Sequence, residues 1–258
     1  MNLRHFLFLS LWVGCVAESG FGQIQVVDFG SGSSGSDAWV NVNSANFSGY
    51  GGFPGSSPWP APIGSNGLGS GDAVLNRVAG SPTGGGPFLS SSSIYFGNFS
   101  QIPNALGGTL RVTDSTPLAD LKTLVFQIQI GEATGYDFTS PSGAPSLKIN
   151  GGSSVVTPLF AGILSRYQSG TFFSPATELD EPVYVNTRGY QWDVSSLGPV
   201  TSFSIDFSGV THSQIYGLQL DQSSSVFSTA VIPEPNVGGL VLAGAFFFLI
   251  CRRARVVA

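Results

Sequence analysis

Alternating apolar and polar residues recur along the middle of the chain. "LVFQIQI" (124–130) places Phe126, Ile128 and Ile130 on one side of an extended segment and two glutamines on the other. "SFSIDFSGV" (202–210) and "IYGLQLDQ" (215–222) repeat this period of two. The pattern is typical of strands with one wet face, as in antiparallel sheets. Eight further segments are predicted as strands: 23–29, 38–43, 73–78, 93–97, 109–113, 146–150, 183–186 and 190–194.

Clusters of Gly, Pro, Asn and Ser separate these segments, and no long amphipathic helix is predicted. Residues 117–122 offer at most one short helical turn. Many strands without helical crossovers predict an all-β fold, an antiparallel β-sandwich of jelly-roll type over residues 23–221. Within it, residues 49–71 contain four prolines and little periodicity, which predicts a long functional or disordered loop. Residues 222–232 are expected to form a Ser-rich spacer.

The N-terminus has the pattern of a secretory signal peptide, assigned here to residues 1–22. Arg4 and His5 precede an apolar run from Phe6 to Val16. Small residues permit cleavage after Ala17 or after Gly22. Gly14-Cys15 also allows a lipoprotein interpretation, although Trp12 departs from the usual lipobox. Either interpretation predicts export through the general secretion route.

The C-terminus, residues 233–258, combines three features in a fixed order: Pro233-Glu234-Pro235, an apolar stretch over 236–251, and the arginines Arg252, Arg253 and Arg255. A helix over 236–251 would rise about 24 Å, somewhat less than the roughly 30 Å of a bilayer core. Snorkelling arginines and local thinning of the bilayer can accommodate that difference. The arginines predict a cytoplasmic end, which leaves the body of the protein outside.

This tail resembles the PEP-CTERM sorting signal of Gram-negative bacteria. The resemblance implies that an exosortase in the inner membrane recognises Pro233, Glu234 and Pro235 and removes the tail. It also implies a host that makes extracellular polysaccharide, with the processed protein at the cell surface or outside the cell. Prolines on both sides of Glu234 favour an extended segment that a protease cleft can accept. The alternative is a plain tail anchor.

Composition excludes several functions. Only 10% of the residues are charged, while 42% are hydrophobic, including 20 Phe. Outside the two ends, six basic residues face 13 acidic ones, so the body carries a net charge of −7. An acidic body argues against nucleic-acid binding, which needs a basic face. Both cysteines, Cys15 and Cys251, lie in the terminal apolar runs, which excludes disulfides and cysteine-based zinc sites from the body.

Catalytic motifs are weak. "GSGSSG" (30–35) matches the dinucleotide-binding glycine pattern, but a β-prone segment follows it and no acid occurs between Asp37 and Asp72, so a surface turn is expected. The G-x-S-x-G elbow is absent, and His212 is expected to be a turn residue between two strands. No catalytic residue is therefore assigned, and the protein is predicted not to be an enzyme.

Three acids, Glu178, Asp180 and Glu181, form the densest acidic cluster in "ATELDEPV". They are candidates for a structural Ca²⁺, the only cofactor considered; the alternative is a solvated loop. Trp59, Tyr190 and Trp192 are candidate carbohydrate contacts, because sugar sites use flat aromatic rings. For Tyr190 and Trp192, as for Trp39, the alternative is the core of the sandwich.

These observations favour an exported, non-enzymatic protein with a structural or adhesive role at the cell surface or in the extracellular matrix. The expected partners are the exosortase, the inner membrane before processing, and extracellular polysaccharide. The alternative is a carbohydrate-binding, lectin-like module. A secreted hydrolase or lyase acting on polysaccharide is a third interpretation, and the scarcity of His and Lys argues against it.

Overall fold

The computed structural model describes residues 24–50, 52, 58–67, 71–82, 84–97, 102, 104–133, 143–174 and 177–232. These residues form twelve β-strands and no helix. The strands are β1 (Ser34–Val40), β2 (Ile63–Gly64), β3 (Val74–Gly80), β4 (Gly86–Leu89), β5 (Ile94–Gly97), β6 (Leu106–Asp114), β7 (Thr123–Ala133), β8 (Ser146–Ile149), β9 (Phe160–Ser174), β10 (Leu179–Asp193), β11 (Phe203–Val210) and β12 (Gln214–Ser223). The all-β prediction is confirmed for this part of the chain.

Two antiparallel sheets contain these strands. The large sheet has the order β4-β5-β12-β7-β10-β9, and β1 pairs with β12 on the same side as β5. The small sheet has the order β2-β3-β6-β11-β8. From β5 to β8 each successive strand joins the opposite sheet, which brings strands distant in sequence together within each sheet.

Apolar residues with a period of two fill the space between the sheets. Phe126 on β7 and Phe207 on β11 come from opposite sheets, and their ring centroids lie 5.4 Å apart. Burying one such side chain contributes roughly 1.5–3 kcal/mol. The largest fully buried side chains are Trp39, Trp192, Phe96, Phe126, Phe203, Ile63, Leu75, Leu89, Ile94, Leu110 and Leu124. The two sheets therefore pack as a sandwich.

Strand β9 is the main element that the sequence pattern did not predict, together with short β2 and β4. Leu164 and Ser169 have no partner in the β9–β10 register, where two shifts occur. Each bulge changes which residues face each side, so β9 shows no continuous alternation. The predicted segments 183–186 and 190–194 are parts of one strand, β10.

The described part of the predicted 49–71 loop covers one edge of the large sheet. Asn66 accepts a hydrogen bond from the Val40 N–H (2.9 Å) and donates one to the Val40 carbonyl (2.8 Å). Gly67 lies so close to β1 that a Cβ there would stand 2.6 Å from the Ala38 Cβ. The free edge of β1 is therefore occupied by the chain itself, a common protection of edge strands.

Residues 24–30 and 224–232, here called the N-terminal arm and the C-terminal arm, lie on the outer face of the large sheet. The predicted strand 23–29 falls in the N-terminal arm, where no described residue is in a strand. Val27, Phe29, Val125 and Ile232 form a second buried apolar cluster. The segment 222–232, predicted as a spacer, is thus folded: its first two residues end β12, and the rest packs on the sheet through Phe227, Val231 and Ile232.

Candidate functional site

Five polar or aromatic residues continue the inner face of the large sheet beyond the apolar core. On β10, Tyr184, Asn186 and Arg188 alternate with the same phase as the core residues of that strand, so they share its inner side. Glu132 lies opposite Tyr184 on β7, and Arg166 lies opposite Asn186 on β9. We call this set the polar inner patch.

The polar inner patch contains a buried ion pair. Asn186 Nδ2 donates to Glu132 Oε1 at 2.6 Å, and Arg188 Nη2 lies 3.4 Å from the same oxygen. The side chains of Arg188 and Glu132 are 16% and 8% exposed. Arg166 Cζ lies 3.8 Å from the centroid of the Tyr184 ring, a cation–π geometry. Guanidinium, amide and aromatic groups are therefore placed side by side, a combination that suits hydroxyl-rich or carboxylate-bearing ligands.

Two inward-facing carboxyl groups lie near one another at one end of the sandwich. Asp37 Oδ1 accepts a hydrogen bond from the Ala73 N–H (3.2 Å), and Asp114 Oδ2 accepts one from Gln222 Nε2 (2.7 Å). Burial, opposed by the Ala73 hydrogen bond and reinforced by the charges of Asp114 and Asp72, raises the pKa of Asp37 to about 6. Burial also raises the pKa of Asp114. The sequence did not point to this pair, because isolated acids in strand patterns give no motif.

Of the predicted calcium residues, Glu178 lies in the turn between β9 and β10, and Asp180 and Glu181 lie at the start of β10. Glu178 and Asp180 are exposed, and Glu181 Oε1 accepts a hydrogen bond from Thr177 Oγ1 at 2.7 Å. Within the described residues, no three side chains of His, Cys, Asp or Glu come together in a way that could hold a metal ion. The arrangement therefore gives no support to the calcium interpretation.

The candidate carbohydrate contacts separate in the structure. Tyr190 and Trp192 are 3% and 0% exposed and belong to the sandwich core, so neither ring is available to a sugar. This corrects their assignment as contacts; Trp39, also 0% exposed, lies in the same core. Trp59 is half-buried and packs against Tyr50, with ring centroids 5.9 Å apart.

Glutamine side chains on the outer face of the large sheet bind the main chain of both arms. Gln127 Nε2 donates to the Gln25 carbonyl at 2.6 Å, and Gln191 Oε1 accepts from the Val231 N–H at 2.9 Å. Asp221 accepts hydrogen bonds from Ser36 Oγ and Gln219 Nε2 at 2.7 and 2.8 Å, and burial raises its pKa to about 6. The outer face is thus covered by the chain itself.

The opposite edge of the large sheet, formed by β9, is open in the described structure. No described strand pairs with its outer side. Apolar side chains are exposed along it and at the start of β10: Ile163 (48%), Tyr167 (37%) and Phe173 (59%) on β9, and Leu179 (65%) on β10. The β9 segment contains no acid and a single base, Arg166, in a body that is strongly acidic.

The turn and tail predictions have different outcomes. His212 has a φ of 68° in the turn between β11 and β12, as expected for a turn residue. The glycine segment 30–35 leads directly into β1, which begins at Ser34, and no helix opens there. The predicted signal segment and sorting tail lie outside the described residues. They comprise residues 1–22, Pro233, Glu234, Pro235, the apolar stretch 236–251, and Arg252, Arg253 and Arg255. Among the residues described, no helix has the length and apolar character needed to cross a membrane.

Comparisons with known proteins gave no relatives. No family model matches the chain, and neither the curated proteins nor the solved structures contain a match.

Proposed function

We propose that this chain is an exported surface or extracellular-matrix protein with a non-enzymatic, structural or adhesive role, sorted by a PEP-CTERM tail that an exosortase removes. The open edge of β9 carries the adhesive part of this proposal. Among the described residues, the outer face of the large sheet is covered by two arms and the β1 edge by Asn66, whereas no strand pairs with the outer side of β9, and its Ile163, Tyr167 and Phe173 side chains are exposed. Such an edge is suited to pairing with another strand.

A second copy of the same chain is the partner that this edge fits best. Copies with a net charge of −7 repel one another over most of their surface. Contact is favoured where acids are missing, and β9 has none over 15 residues. Antiparallel pairing of β9 with its own copy would join two large sheets into one and cover apolar residues on both.

Self-association tests the adhesive role. We expect the processed protein to associate in sedimentation velocity at micromolar concentration, and the Ile163→Lys, Phe173→Lys double variant to remain monomeric. Val78→Lys is the matched control, because Val78 is 47% exposed on β3 of the small sheet. A monomeric wild type, or association unchanged in the double variant, would contradict the role given to β9.

Tail processing is tested by intact mass and cell fractionation in the native host. We expect the wild type to lose the terminal 20-odd residues and leave the inner membrane, and Glu234→Ala to keep the tail. A full-length tail in both proteins, lodged in the inner membrane, would support a plain tail anchor instead.

A carbohydrate-binding role is the second candidate, and the polar inner patch favours it. Arg166 over the Tyr184 ring, with Arg188 and Asn186 beside it, places charge, amide and aromatic surface on one side of the sheet. We expect Arg166→Ala to abolish binding of the host's acidic polysaccharide in calorimetry. Equal heats for wild type and variant would exclude the patch as a sugar site.

The order of the strands supports a jelly-roll topology. Strands β5, β12, β7 and β10 are neighbours in the large sheet, while β6, β11 and β8 are neighbours in the small one. The first and last of these strands in sequence, β5 and β12, lie side by side. This interleaving supports assigning the fold to the jelly-roll type, with β9 paired to β10 where a jelly roll would have it close the small sheet.

A further inference from the structure

The C-terminal arm is held on the large sheet through its main chain. Gln191 Nε2 donates to the carbonyls of Phe227 (3.3 Å) and Thr229 (3.0 Å), and Gln191 Oε1 accepts from the Val231 N–H (2.9 Å). Gln191 is 0% exposed. One glutamine side chain therefore replaces part of a neighbouring strand and fixes alternate residues of the arm.

The end of the arm is seated in a socket. Ile232 is 6% exposed and packs with Val27, Phe29 and Val125. A Cβ at position 189 would lie 2.7 Å from Ile232 Cδ1 and 2.9 Å from Leu164 Cδ1, so the socket exists because residue 189 is glycine. Since Pro233 is the next residue in the sequence, no free spacer separates the folded domain from the sorting motif.

This docking has a consequence for proteolysis. Proteases generally bind several residues on each side of the cleaved bond in extended form, through main-chain hydrogen bonds. Just before Pro233, the Thr229 carbonyl, the Val231 N–H and the Ile232 side chain are all held by the sheet. Cleavage close to the motif then requires local opening of the arm, and its rate follows the population of the open form.

We infer that the C-terminal arm is a latch, and that its release from the large sheet limits the rate at which the tail is processed. This inference rests on the proposed sorting function and adds that docking of the arm regulates the cleavage step. Folding of the domain docks the arm and slows cleavage, and whatever displaces the arm from Gln191 and the Ile232 socket accelerates cleavage.

Pulse-chase labelling of the full-length chain in its native host tests the latch. Gln191→Met removes three hydrogen bonds at nearly constant volume, and we expect tail loss about tenfold faster than in the wild type. Gln222→Met is the matched control, because Gln222 is a buried glutamine of the same sheet whose hydrogen bonds go to the Leu118 N–H and to Asp114 and not to either arm. Its processing rate is expected to stay within about twofold of the wild type.

Hydrogen exchange on the purified precursor in detergent shows whether the latch opens. We expect the Val231 amide to exchange about tenfold faster in Gln191→Met while the β7 and β12 amides stay protected. If Gln191→Met fails to fold, Ile232→Ala provides the same test through the socket. Unchanged processing despite an opened arm, or an arm that does not open in either variant, would overturn the latch. Retention of the tail in the wild type would instead overturn the sorting function and the latch together.

Discussion

Replacing Asp37 with asparagine should stabilise the protein at neutral pH. Asp37 is 0% exposed, and its Oδ1 accepts the Ala73 N–H. Its Oδ2 is buried and has no hydrogen-bond partner among the described residues. Asparagine keeps the acceptor for Ala73 and removes a buried negative charge that lies near Asp114 and Asp72. A buried charge without a cation beside it opposes folding.

The size of this stabilisation follows from the pKa of Asp37, which is raised from 3.8 to about 6. Because the folded state binds this proton more tightly than the unfolded state, stability is greatest below pH 3.8 and is lost as the pH rises to about 6. At about 1.4 kcal/mol per pKa unit, the ionised carboxylate costs the folded state about 3 kcal/mol above pH 6. Asp221, whose pKa is also about 6, adds a loss of the same sign in the wild type.

Urea denaturation of residues 23–232 between pH 4 and pH 8 checks this reasoning. At pH 8 we expect Asp37→Asn to raise the free energy of unfolding by about 2–3 kcal/mol, and at pH 4 to leave it nearly unchanged. Asp28→Asn is the control, since Asp28 is exposed on the N-terminal arm. A wild type that gains stability from pH 5 to pH 7, or an Asp37→Asn variant that loses stability at pH 8, would refute the argument.

Three further substitutions probe the inner face and the arms. Arg188→Met leaves the buried carboxylate of Glu132 without its cation and should lower the free energy of unfolding by about 3 kcal/mol in urea denaturation. Trp192→Ala leaves a cavity in the core, because Trp192 is 0% exposed, and should lower the free energy of unfolding by about 3–5 kcal/mol in the same assay. Gly189→Val fills the socket of Ile232, so it should cost about 1–3 kcal/mol and speed hydrogen exchange in the C-terminal arm while β7 stays protected.

The strands that the sequence predicted carry apolar residues on one face and mostly polar residues on the other. In β7, Phe126 and Ile128 point into the core while Gln127 and Gln129 point outward, so burial preserves the alternation that sequence reasoning detects. In β9 most residues are exposed on both faces and two bulges change the phase, so no face imposes a pattern. The same reason explains why the pattern defines the core better than it defines the open edge.

The polar inner patch and the pair formed by Asp37 and Asp114 could not be predicted from the sequence, for a different reason. Glu132 lies 54 residues before Asn186 and 56 before Arg188, and only the β7–β10 register brings them together. Tyr190 and Trp192 show the opposite case, in which the neighbouring residues in the sequence suggest exposure but the rings are buried. Their neighbours in "RGYQWDV" include charged residues, yet alternation along β10 points both rings inward while Gln191 points out to the arm.

The Ser-rich composition of residues 222–232 suggested a spacer, but most of this segment forms the C-terminal arm, which packs on the large sheet. A run of serines after β12 predicts a spacer only when its apolar residues have nothing to contact. Here the outer face of the large sheet provides Val125 and the gap at Gly189, so Phe227, Val231 and Ile232 pack there. Two of the serines, Ser224 and Ser225, instead donate to main-chain carbonyls in the segment 31–33 that follows the N-terminal arm. Because both arms lie on one face and their aromatic rings meet at 5.4 Å, opening of either arm removes apolar contacts from the other. The two ends of the folded domain are therefore coupled, and a change in one arm should be measurable in the hydrogen exchange of the other.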